Sequence, residues 1–467
     1  MDAISIAELA RIVGGQAIAQ SAGPAGSVVS TISTDSRTLQ RGELFVAVAG
    51  ERFDGHGFVL EAQARGAVAA LVQQVPAGAM LPCVVVPDTL AALWKLAAWQ
   101  RDRLTCPVIT VAGANGKTTT KTMLAAVLGS QMRGVASEKS FNNHLGVPLT
   151  LLSADADAGF LVVEIGTNHL GEAGPLQRLA RPDIAIVTSL AESHLEGLGD
   201  LAGVAAEETE GLRALRPGGL GIVHVDHPLL AQATVADGAQ RIGFGRSPSA
   251  QVRLLHAFHD LDGLVFTLLL TEQSAQRHAR LSFPGAHNAL NAAACWIAAR
   301  RLGLSDEQIA RALARCQPPP GRSNIRDVGP WCLIDDGYNA NPGSMRAALA
   351  MLAQLAPRSN RRSVAVLGEM KELGDRAAEL HAELGEAAAR SGVDLLIGVG
   401  PLAMGMLEAA RAVNPAIDTL HFADSTHAAE RLPALLKPAD IVLVKGSRSV
   451  ALELVCHAME RACAMPA

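Results

Sequence analysis

The feature that most constrains the fold is a glycine-rich loop between a short apolar run and an amphipathic one. Val108–Ala112 is apolar and predicts a buried strand, and Gly113-Ala-Asn-Gly-Lys-Thr-Thr119 follows it directly. The stretch after the loop predicts a helix with an apolar face formed by Met123, Leu124, Val127 and Leu128. A strand, loop and helix in this order favour parallel strands joined by helical crossovers. We therefore expect an α/β protein.

The loop also has the composition of a phosphate-binding site. Glycines let backbone N–H groups approach phosphate oxygens, and the N-terminus of the following helix adds a favourable dipole. Lys117 can reach the β- and γ-phosphates, and the Thr118 hydroxyl can bind Mg²⁺. We predict that a nucleoside triphosphate is bound by seven consecutive residues: Gly113, Ala114, Asn115, Gly116, Lys117, Thr118 and Thr119.

Two further polar residues follow predicted strands and are candidate metal ligands. Glu164 ends the apolar run that begins at Phe160, and His194 follows the predicted strand Ile184–Thr188. Ligands gather at the carboxyl edge of a parallel sheet, so Thr118, Glu164 and His194 form a candidate Mg²⁺ site. Taken singly, Glu164 could be a surface residue past a strand, and a lone loop histidine is usually not a ligand.

Composition excludes several classes of protein. Lys and Arg number 40 and Asp and Glu number 45, and no basic run is present, so nucleic acid binding is not expected. The seven cysteines form no Cys-x-x-Cys pair, which argues against a zinc site or a disulfide framework. The start, Met-Asp-Ala-Ile-Ser, does not resemble a signal peptide, and no apolar stretch is long enough to span a bilayer. We expect a cytoplasmic monomer that acts on small molecules.

The length of 467 residues exceeds one hydrophobic core and predicts several domains. We expect boundaries that give domains 1–86, 87–316 and 317–467, the last beginning at the hinge-like Gln317-Pro-Pro-Pro-Gly321. Thr89–Arg103 is predicted to be the helix that leads out of the first domain. Strands are predicted at Val28–Ile32, Glu43–Val48, Val84–Val86, Val108–Ala112, Phe160–Ile165, Ile184–Thr188, Gly221–Val225, Cys332–Asp335, Val364–Leu367, Leu395–Val399 and Ile441–Val444.

Several motifs along the chain resemble those of the Mur ligases, with the phosphate loop also similar to that of folylpolyglutamate synthases. The matching stretches are the phosphate loop, Phe283-Pro-Gly-Ala-His-Asn-Ala-Leu-Asn291, Gly321-Arg322 and Asp335-Asp-Gly-Tyr-Asn-Ala-Asn-Pro342. The resemblance implies a central ATPase domain with a parallel sheet, between a small N-terminal α/β domain and a Rossmann-like C-terminal domain. It assigns catalysis to Lys117, Glu164 and His194, and contacts with ATP to Asn288, Asn291, Arg322, Asp336 and Tyr338.

Within this family, the chain is similar to the members that add D-alanyl-D-alanine to UDP-N-acetylmuramoyl-tripeptide. The similarity lies in Asp335–Pro342, Val366-Leu-Gly-Glu-Met-Lys-Glu-Leu-Gly374, Val444-Lys-Gly-Ser-Arg448 and the region around Asp35. The Asp-Asn-Pro-Arg motif of the ligases that add the third stem residue is missing from the sequence. The resemblance implies a ligase that uses ATP and Mg²⁺, forms an acyl phosphate and makes a peptidoglycan precursor.

Two polar segments are the candidate binding residues for the sugar nucleotide. The resemblance assigns the UDP part to Ser33, Asp35, Ser36 and Arg37, whose hydroxyl, carboxylate and guanidinium groups suit a uridine diphosphate. It assigns the sugar–peptide part to Asn142 and Asn143. Without the resemblance, the first segment could be a capped turn with a surface arginine, and the second an Asx turn.

The chain departs from the family at one position. Many members carry a carbamylated lysine, a ligand of a second Mg²⁺, fourteen residues after the metal histidine, where this chain has Glu208. We hypothesise that the Glu208 carboxylate replaces the carbamate; Glu207 or a water molecule are the alternatives.

Two other functions compete with this prediction. One is a neighbouring ligase that adds a different amino acid, or that adds glutamate to a folate. The other is a regulatory or scaffold protein that has kept the nucleotide-binding fold without ligation, which the glutamate at 208 would allow.

Overall fold

The computed structural model describes residues 1–18, 28–50, 53–260 and 263–464. The chain divides into two units. The first unit comprises residues 1–110, 132–166 and 174–184, and the second comprises 111–131, 167–173 and 185–467.

The N-terminal elements are short and form two small sheets. In chain order they are β1 (Ile4–Ser5), α1 (Ile6–Val13), β2 (Gln16–Ile18), β3 (Val28–Val29), β4 (Ile32–Ser33), β5 (Leu44–Val46), α2 (Val59–Ala64), β6 (Ala69–Val72), β7 (Cys83–Val85) and α3 (Thr89–Arg103). The larger sheet has the order β2-β7-β6-β5-β4, and β1 pairs with β3. Its core includes the buried side chains of Phe45, Val59 and Val72.

One predicted strand in this region is wrong and one predicted helix is confirmed. Val28–Ile32 is divided between two sheets: Val28 and Val29 pair antiparallel with β1, while Ile32 begins a parallel ladder with Leu44. Apolar character alone does not show where a chain leaves one sheet for another. The helix α3 has the predicted bounds, and the Asp88 side chain caps it by accepting a hydrogen bond from Ala91 N.

The central elements begin with alternating strands and helices and include four strands in succession between Gln240 and Leu281. They are β8 (Val108–Ala112), α4 (Lys117–Gly129), β9 (Val135–Ala136), α5 (Gly146–Leu152), β10 (Leu161–Glu164), α6 (Ala173–Ala180), β11 (Ile184–Val187), α7 (Leu195–Leu198), α8 (Leu201–Glu208), α9 (Glu210–Arg213), β12 (Leu220–His224), α10 (Pro228–Ala231), β13 (Gln240–Gly245), β14 (Val252–Asp260), β15 (Gly263–Leu270), β16 (Ala275–Leu281), α11 (Ala286–Arg301) and α12 (Asp306–Leu313). Their strands form a sheet of order β16-β15-β14-β13-β12-β11-β8-β10-β9. The antiparallel pairs β14–β15 and β15–β16 were not predicted from the sequence.

The C-terminal elements form a sheet with helices on both faces. They are β17 (Asn324–Val328), β18 (Trp331–Asp335), α13 (Pro342–Ser359), β19 (Ser363–Gly368), α14 (Ala377–Arg390), β20 (Leu395–Val399), α15 (Ala403–Val413), β21 (Asp418–Phe422), α16 (Ser425–Leu435), β22 (Ile441–Lys445) and α17 (Glu453–Ala464). The sheet order is β17-β18-β22-β19-β20-β21, and only the β17–β18 pair is antiparallel. Asp335 pairs with Val444, and Leu367 with Lys445, so β18, β22 and β19 end at one edge.

None of the helices within the described ranges combines the length and the hydropathy that a bilayer crossing requires.

Candidate active site

The predicted phosphate loop joins β8 to α4 as expected, and two positions in it require glycine. Gly113 has φ +127° and Gly116 has φ +85°, in the region that L side chains rarely adopt. A Cβ atom at Gly113 would lie 2.2 Å from Thr188 Oγ1, and one at Gly116 would lie 2.5 Å from Asn291 Oδ1. The loop therefore approaches its neighbours too closely for any side chain, and α4 begins directly after it at Lys117.

The segment after β11 fixes the loop in place. Ser189 Oγ accepts a hydrogen bond from Asn115 N at 2.8 Å, and Ser189 O accepts one from Ala114 N at 3.0 Å. The Thr188 hydroxyl donates to Asn115 O at 2.6 Å. Neither residue was predicted as a site residue, because a Thr-Ser pair at the end of a strand is common and its partners lie more than 70 positions away.

Glu208 lies directly against the phosphate loop. Its Oε2 accepts a hydrogen bond from Gly113 N at 2.5 Å, and its Oε1 lies 3.9 Å from the Lys117 ammonium. Lys117 Nζ also donates to Gly113 O at 2.6 Å. Burial raises the pKa of the Glu208 carboxyl, although the charge of Lys117 acts in the opposite direction. A buried carboxylate and a lysine thus hold the first glycine of the loop between them.

The neighbouring Glu207 is hydrogen-bonded to a different segment of the chain. Its carboxylate accepts hydrogen bonds from Gly171 N at 2.6 Å and from Ala173 N at 2.9 Å. Ala173 begins α6, so this carboxylate satisfies backbone donors at a helix N-terminus. Of the two adjacent glutamates, Glu208 is the one that contacts the phosphate loop.

His194 is held in a constrained conformation by a carboxylate. It precedes α7 with φ 52°, and its Nδ1 lies 2.5 Å from Glu372 Oε2; Glu372 itself has φ 62°. The hydrogen bond with His194 lowers the pKa of the Glu372 carboxyl. Left-handed backbone at non-glycine residues is costly and concentrates at functional sites. Glu372 lies in the Val366–Gly374 motif but was not predicted as a site residue.

The predicted Mg²⁺ ligands suit a cation whose coordination is completed by phosphates. Thr118 is buried in the first turn of α4, next to Lys117. In the part of the chain that the structure describes, no three His, Cys, Asp or Glu side chains form a group able to hold a metal ion. Mg²⁺ commonly takes only one or two protein ligands and fills its shell with substrate phosphates and water, so an incomplete protein shell fits that ion.

Glu164 and Asn142 form a second cluster, within the first unit. Glu164 ends β10 with 1% of its surface exposed, and its Oε1 accepts a hydrogen bond from Asn142 Nδ2 at 3.0 Å. The backbone N–H of Glu164 donates to Ser137 Oγ at 2.9 Å. A Cβ atom at Gly166 would lie 2.6 Å from Asn142 Nδ2, so that glycine makes room for the amide. Asn142 therefore orients the Glu164 carboxylate.

Asn143 behaves differently from its neighbour. Its Oδ1 accepts hydrogen bonds from Leu145 N at 3.1 Å and from Gly146 N at 3.0 Å. This is the Asx turn weighed as the alternative for this pair, and it begins α5. The structure separates the two predicted amides: Asn142 contacts Glu164, and Asn143 shapes the turn.

Asn288 and Asn291 lie on one face of α11, as predicted. Asn291 Nδ2 donates to Asn288 Oδ1 at 3.1 Å, and Asn288 Nδ2 donates to Pro284 O at 2.5 Å. Both side chains are buried, and Asn291 contacts the phosphate loop at Gly116. This face of α11 is therefore joined to the nucleotide loop.

The loop after β18 brings the remaining predicted ATP contacts together. The guanidinium carbon of Arg322 lies 4.3 Å from the Tyr338 ring centroid, and that of Arg448 lies 5.8 Å away. Asp336 Oδ1 accepts a hydrogen bond from Ser323 N at 2.9 Å. Arg322, Asp336 and Tyr338, which the family resemblance assigns to ATP, are thus neighbours.

This loop also reaches the phosphate loop through a pair of amides. Asn341 Nδ2 donates to Asn115 Oδ1 at 2.9 Å, and Asn115 Nδ2 donates to Asn341 Oδ1 at 3.2 Å. Asn341 caps α13 as well, since its Oδ1 accepts a hydrogen bond from Ser344 N at 2.8 Å. The reciprocal pair connects residues 226 positions apart, and Asn341 was not among the predicted site residues.

The predicted UDP-binding residues form a local network in the first unit. Arg37 makes a two-point contact with Asp35, at 2.9 and 2.7 Å, and this hydrogen bonding lowers the pKa of Asp35 to about 2. Ser33 Oγ accepts a hydrogen bond from Asp35 N at 3.2 Å, and Ser36 Oγ donates to Glu61 Oε2 at 3.0 Å. The arrangement fits the capped turn weighed as an alternative, and it leaves the Arg37 side chain 81% exposed.

Comparison with known proteins shows what this chain is similar to. Three families match: "Mur ligase family, catalytic domain" over residues 28–98, "Mur ligase middle domain" over 111–299, and "Mur ligase, glutamate ligase domain" over 321–448. The UDP-N-acetylmuramoyl-tripeptide–D-alanyl-D-alanine ligase of Escherichia coli K12 is 36% identical over 438 residues, which is 92% of this chain and 94% of that protein.

Two solved structures are also similar to this chain over most of its length. A crystal structure of MurF from Acinetobacter baumannii is 32% identical with a TM-score of 0.87, covering 98% of this chain and 99% of that one. The MurF ligase of Thermotoga maritima in complex with ADP is 26% identical with a TM-score of 0.79, covering 92% and 97%. The fold is the three-domain Mur ligase architecture, and the chain belongs to the Mur ligase family.

Proposed function

We propose that the chain is a UDP-N-acetylmuramoyl-tripeptide–D-alanyl-D-alanine ligase, which makes the UDP-muramoyl-pentapeptide precursor of peptidoglycan in the cytoplasm. The relatives with this name support the substrate assignment. The observation that carries the proposal is the reciprocal Asn115–Asn341 pair. It joins the ATP-type phosphate loop to the Asp335–Pro342 motif, which distinguishes this branch of the family from the ligases that add other residues.

The reaction begins with activation of the stem-peptide carboxylate by ATP. A carboxylate oxygen attacks the γ-phosphorus and ADP leaves, which gives an acyl phosphate. Lys117 neutralises charge on the transferred group, and the backbone N–H groups of the loop orient the phosphates. When bound, Mg²⁺ adds positive charge at the phosphates, and Thr118, Glu164, His194 and Glu208 are the residues that would hold it.

Amide formation follows without a covalent enzyme intermediate. The amine of D-alanyl-D-alanine attacks the acyl carbon, the carbon–oxygen bond to phosphate breaks, and inorganic phosphate leaves with the former carboxylate oxygen. Asn288, Asn291, Arg322, Asp336 and Tyr338 hold the adenosine part of the nucleotide, with Tyr338 against the base and Asp336 on the ribose. Exclusion of water during this step protects the acyl phosphate from hydrolysis.

Substrate binding is assigned to the first 86 residues together with the asparagines near Glu164. Ser33, Asp35, Ser36 and Arg37 bind the UDP part, and Asn142 and Asn143 position the sugar–peptide. The domains in this proposal are 1–86, 87–316 and 317–467, and the enzyme acts as a monomer.

The test is phosphate release measured with each substrate left out in turn. We expect release only when ATP, UDP-N-acetylmuramoyl-tripeptide and D-alanyl-D-alanine are all present, with either diaminopimelate or lysine as the third stem residue. Lys117→Met is the control and should reduce release by about three orders of magnitude. Release with folate and glutamate, or with ATP alone, would contradict the proposal.

A further inference from the structure

The Val444–Arg448 motif contains a buried lysine that the proposed mechanism does not use. Lys445 is the last residue of β22, and only 4% of its side chain is exposed. Its ammonium group lies 2.7 Å from Asp336 Oδ2, and it donates hydrogen bonds to Asn339 O at 3.0 Å and Asp336 O at 3.4 Å. The three N–H donors of the ammonium therefore have three acceptors.

All three acceptors belong to one loop. Removing a charged ammonium from water is costly, and only good partners offset that cost. Here the partners are the carboxylate and the backbone carbonyls of residues 336–339, more than 100 positions earlier in the chain. The conformation of this loop is consequently tied to the charge of Lys445.

Neighbouring residues of the motif hold the same loop more weakly. Asp336 N donates to Val444 O at 3.0 Å, and Ser447 Oγ donates to Ala340 O at 3.4 Å. Arg448 N donates to Asn339 Oδ1 at 3.4 Å. The segment from 444 to 448 thus lies along the whole loop, and Lys445 supplies a charged contact with Asp336.

We propose that Lys445 is a positioning residue for the nucleotide. It fixes the Asp336 carboxylate and the backbone of the loop that carries Tyr338 and Asn341, so that these groups are pre-organised for the adenosine part of ATP. The inference depends on the proposed function, because Asp336 is assigned there as the ribose contact.

The experiment compares two ion pairs at opposite ends of β22, each with one buried partner, Lys445 in one and Asp440 in the other. Lys445→Met breaks the pair with Asp336. Arg362→Met breaks the two-point pair of Arg362 with Asp440, at 2.9 and 2.6 Å, next to the start of the same strand. Both variants should lose thermal stability. Only Lys445→Met should raise the KM for ATP, by roughly 30-fold, while kcat and the KM for UDP-N-acetylmuramoyl-tripeptide change little.

A double variant shows whether Lys445 acts through Asp336. In an Asp336→Asn background, Lys445→Met should raise the KM for ATP only slightly further, because the group it positions is already altered. If Lys445→Met does not fold, Lys445→Gln keeps two N–H donors without the charge and is measured in the same way.

Calorimetric titration with ADP and Mg²⁺ distinguishes failure of the proposed function from failure of the positioning role of Lys445. A wild-type protein that does not bind ADP would overturn the proposed function and this inference with it. Wild-type binding that Lys445→Met leaves unchanged, or that Arg362→Met weakens equally, would overturn the positioning role alone.

Discussion

Two loops of the second unit are built over buried charges of opposite sign. The phosphate loop presents backbone N–H groups, and the carboxylate of Glu208 lies against it. The loop after β18 presents backbone carbonyls, and the ammonium of Lys445 lies against it. In each case the buried charge complements the backbone dipoles that face it, which fixes a loop that has no regular hydrogen-bonding pattern of its own.

The two charges are compensated to different degrees. Lys445 has an acceptor for each of its three donors, including a carboxylate at 2.7 Å. Glu208 accepts one backbone hydrogen bond and lies 3.9 Å from Lys117, and burial raises its pKa. Lys445 is therefore satisfied within the protein, whereas Glu208 retains an electrostatic cost that a cation near the phosphates would reduce. Chemistry is therefore expected to depend more on Glu208, and nucleotide affinity more on Lys445.

Among changes to the two buried charges, the largest effect on kcat is expected for changes of Glu208, which test its proposed equivalence to a carbamylated lysine. Glu208→Ala should lower kcat by roughly 100-fold. Glu208→Lys should be similarly impaired at low bicarbonate and partly restored by added bicarbonate, because a carbamate on the new lysine returns a negatively charged group. Steady-state phosphate release across a bicarbonate series measures this. An equal response of the alanine and lysine variants would contradict the equivalence.

A smaller kinetic effect, on the KM for ATP, is expected when the side-chain amides that link the two loops are changed. Asn115→Ala removes both hydrogen bonds with Asn341 and should raise the KM for ATP about tenfold. Asn341→Asp is the matched variant, since it keeps an oxygen to cap α13 but cannot donate to Asn115. Kinetics of the single and double variants check the link, and fully additive effects would show that the two residues act independently.

The cost attributed to Glu208 should appear in the pH dependence of stability. The pKa of the Glu208 carboxyl is raised in the folded state above the ordinary 4.5. Between pH 4.5 and this raised pKa, the folded protein therefore binds more protons than the unfolded chain. Stability conferred by this group is therefore present below pH 4.5 and is lost as the pH rises toward the folded-state pKa. Glu208→Gln should lack this loss and melt higher than the wild type at neutral pH. Equal melting temperatures of the wild type and Glu208→Gln from pH 4.5 to 8 would contradict an uncompensated charge on Glu208.

The smallest effect on stability is expected for an exposed pair, which serves as the reference for both buried charges. Arg37→Met should leave the melting temperature close to that of the wild type, since exposed ion pairs contribute little to stability. The pKa of Asp35 should rise from about 2 toward 3.8, which NMR titration can follow. Weaker binding of UDP-N-acetylmuramoyl-tripeptide by Arg37→Met, with unchanged ATP affinity, would agree with the proposed role of Arg37.

Local features of this fold could be predicted from the sequence. The phosphate loop, the bounds of β8 and α3, and the shared face of Asn288 and Asn291 depend on residues close together in the chain. The resemblance to the Mur ligases assigned Arg322, Asp336 and Tyr338 to one ligand, and the structure brings these three residues together.

The contacts that organise the site could not be predicted in this way. Glu208 meets Gly113 from 95 positions away, and Glu372 meets His194 from 178 positions away. Periodicity and composition carry no information about such pairings, which depend on how α8 and the loop after β19 pack. For the same reason the sequence did not show that Val28 and Ile32 belong to different sheets.

Isotope transfer tests whether the stem-peptide carboxylate is activated as an acyl phosphate. The wild-type protein would be given ATP, D-alanyl-D-alanine and UDP-N-acetylmuramoyl-tripeptide labelled with ¹⁸O in its reacting carboxylate. Attack of that carboxylate on the γ-phosphorus predicts one ¹⁸O atom in each phosphate released with the amide product, read by mass spectrometry. Amide product accompanied by unlabelled phosphate would contradict an acyl phosphate intermediate.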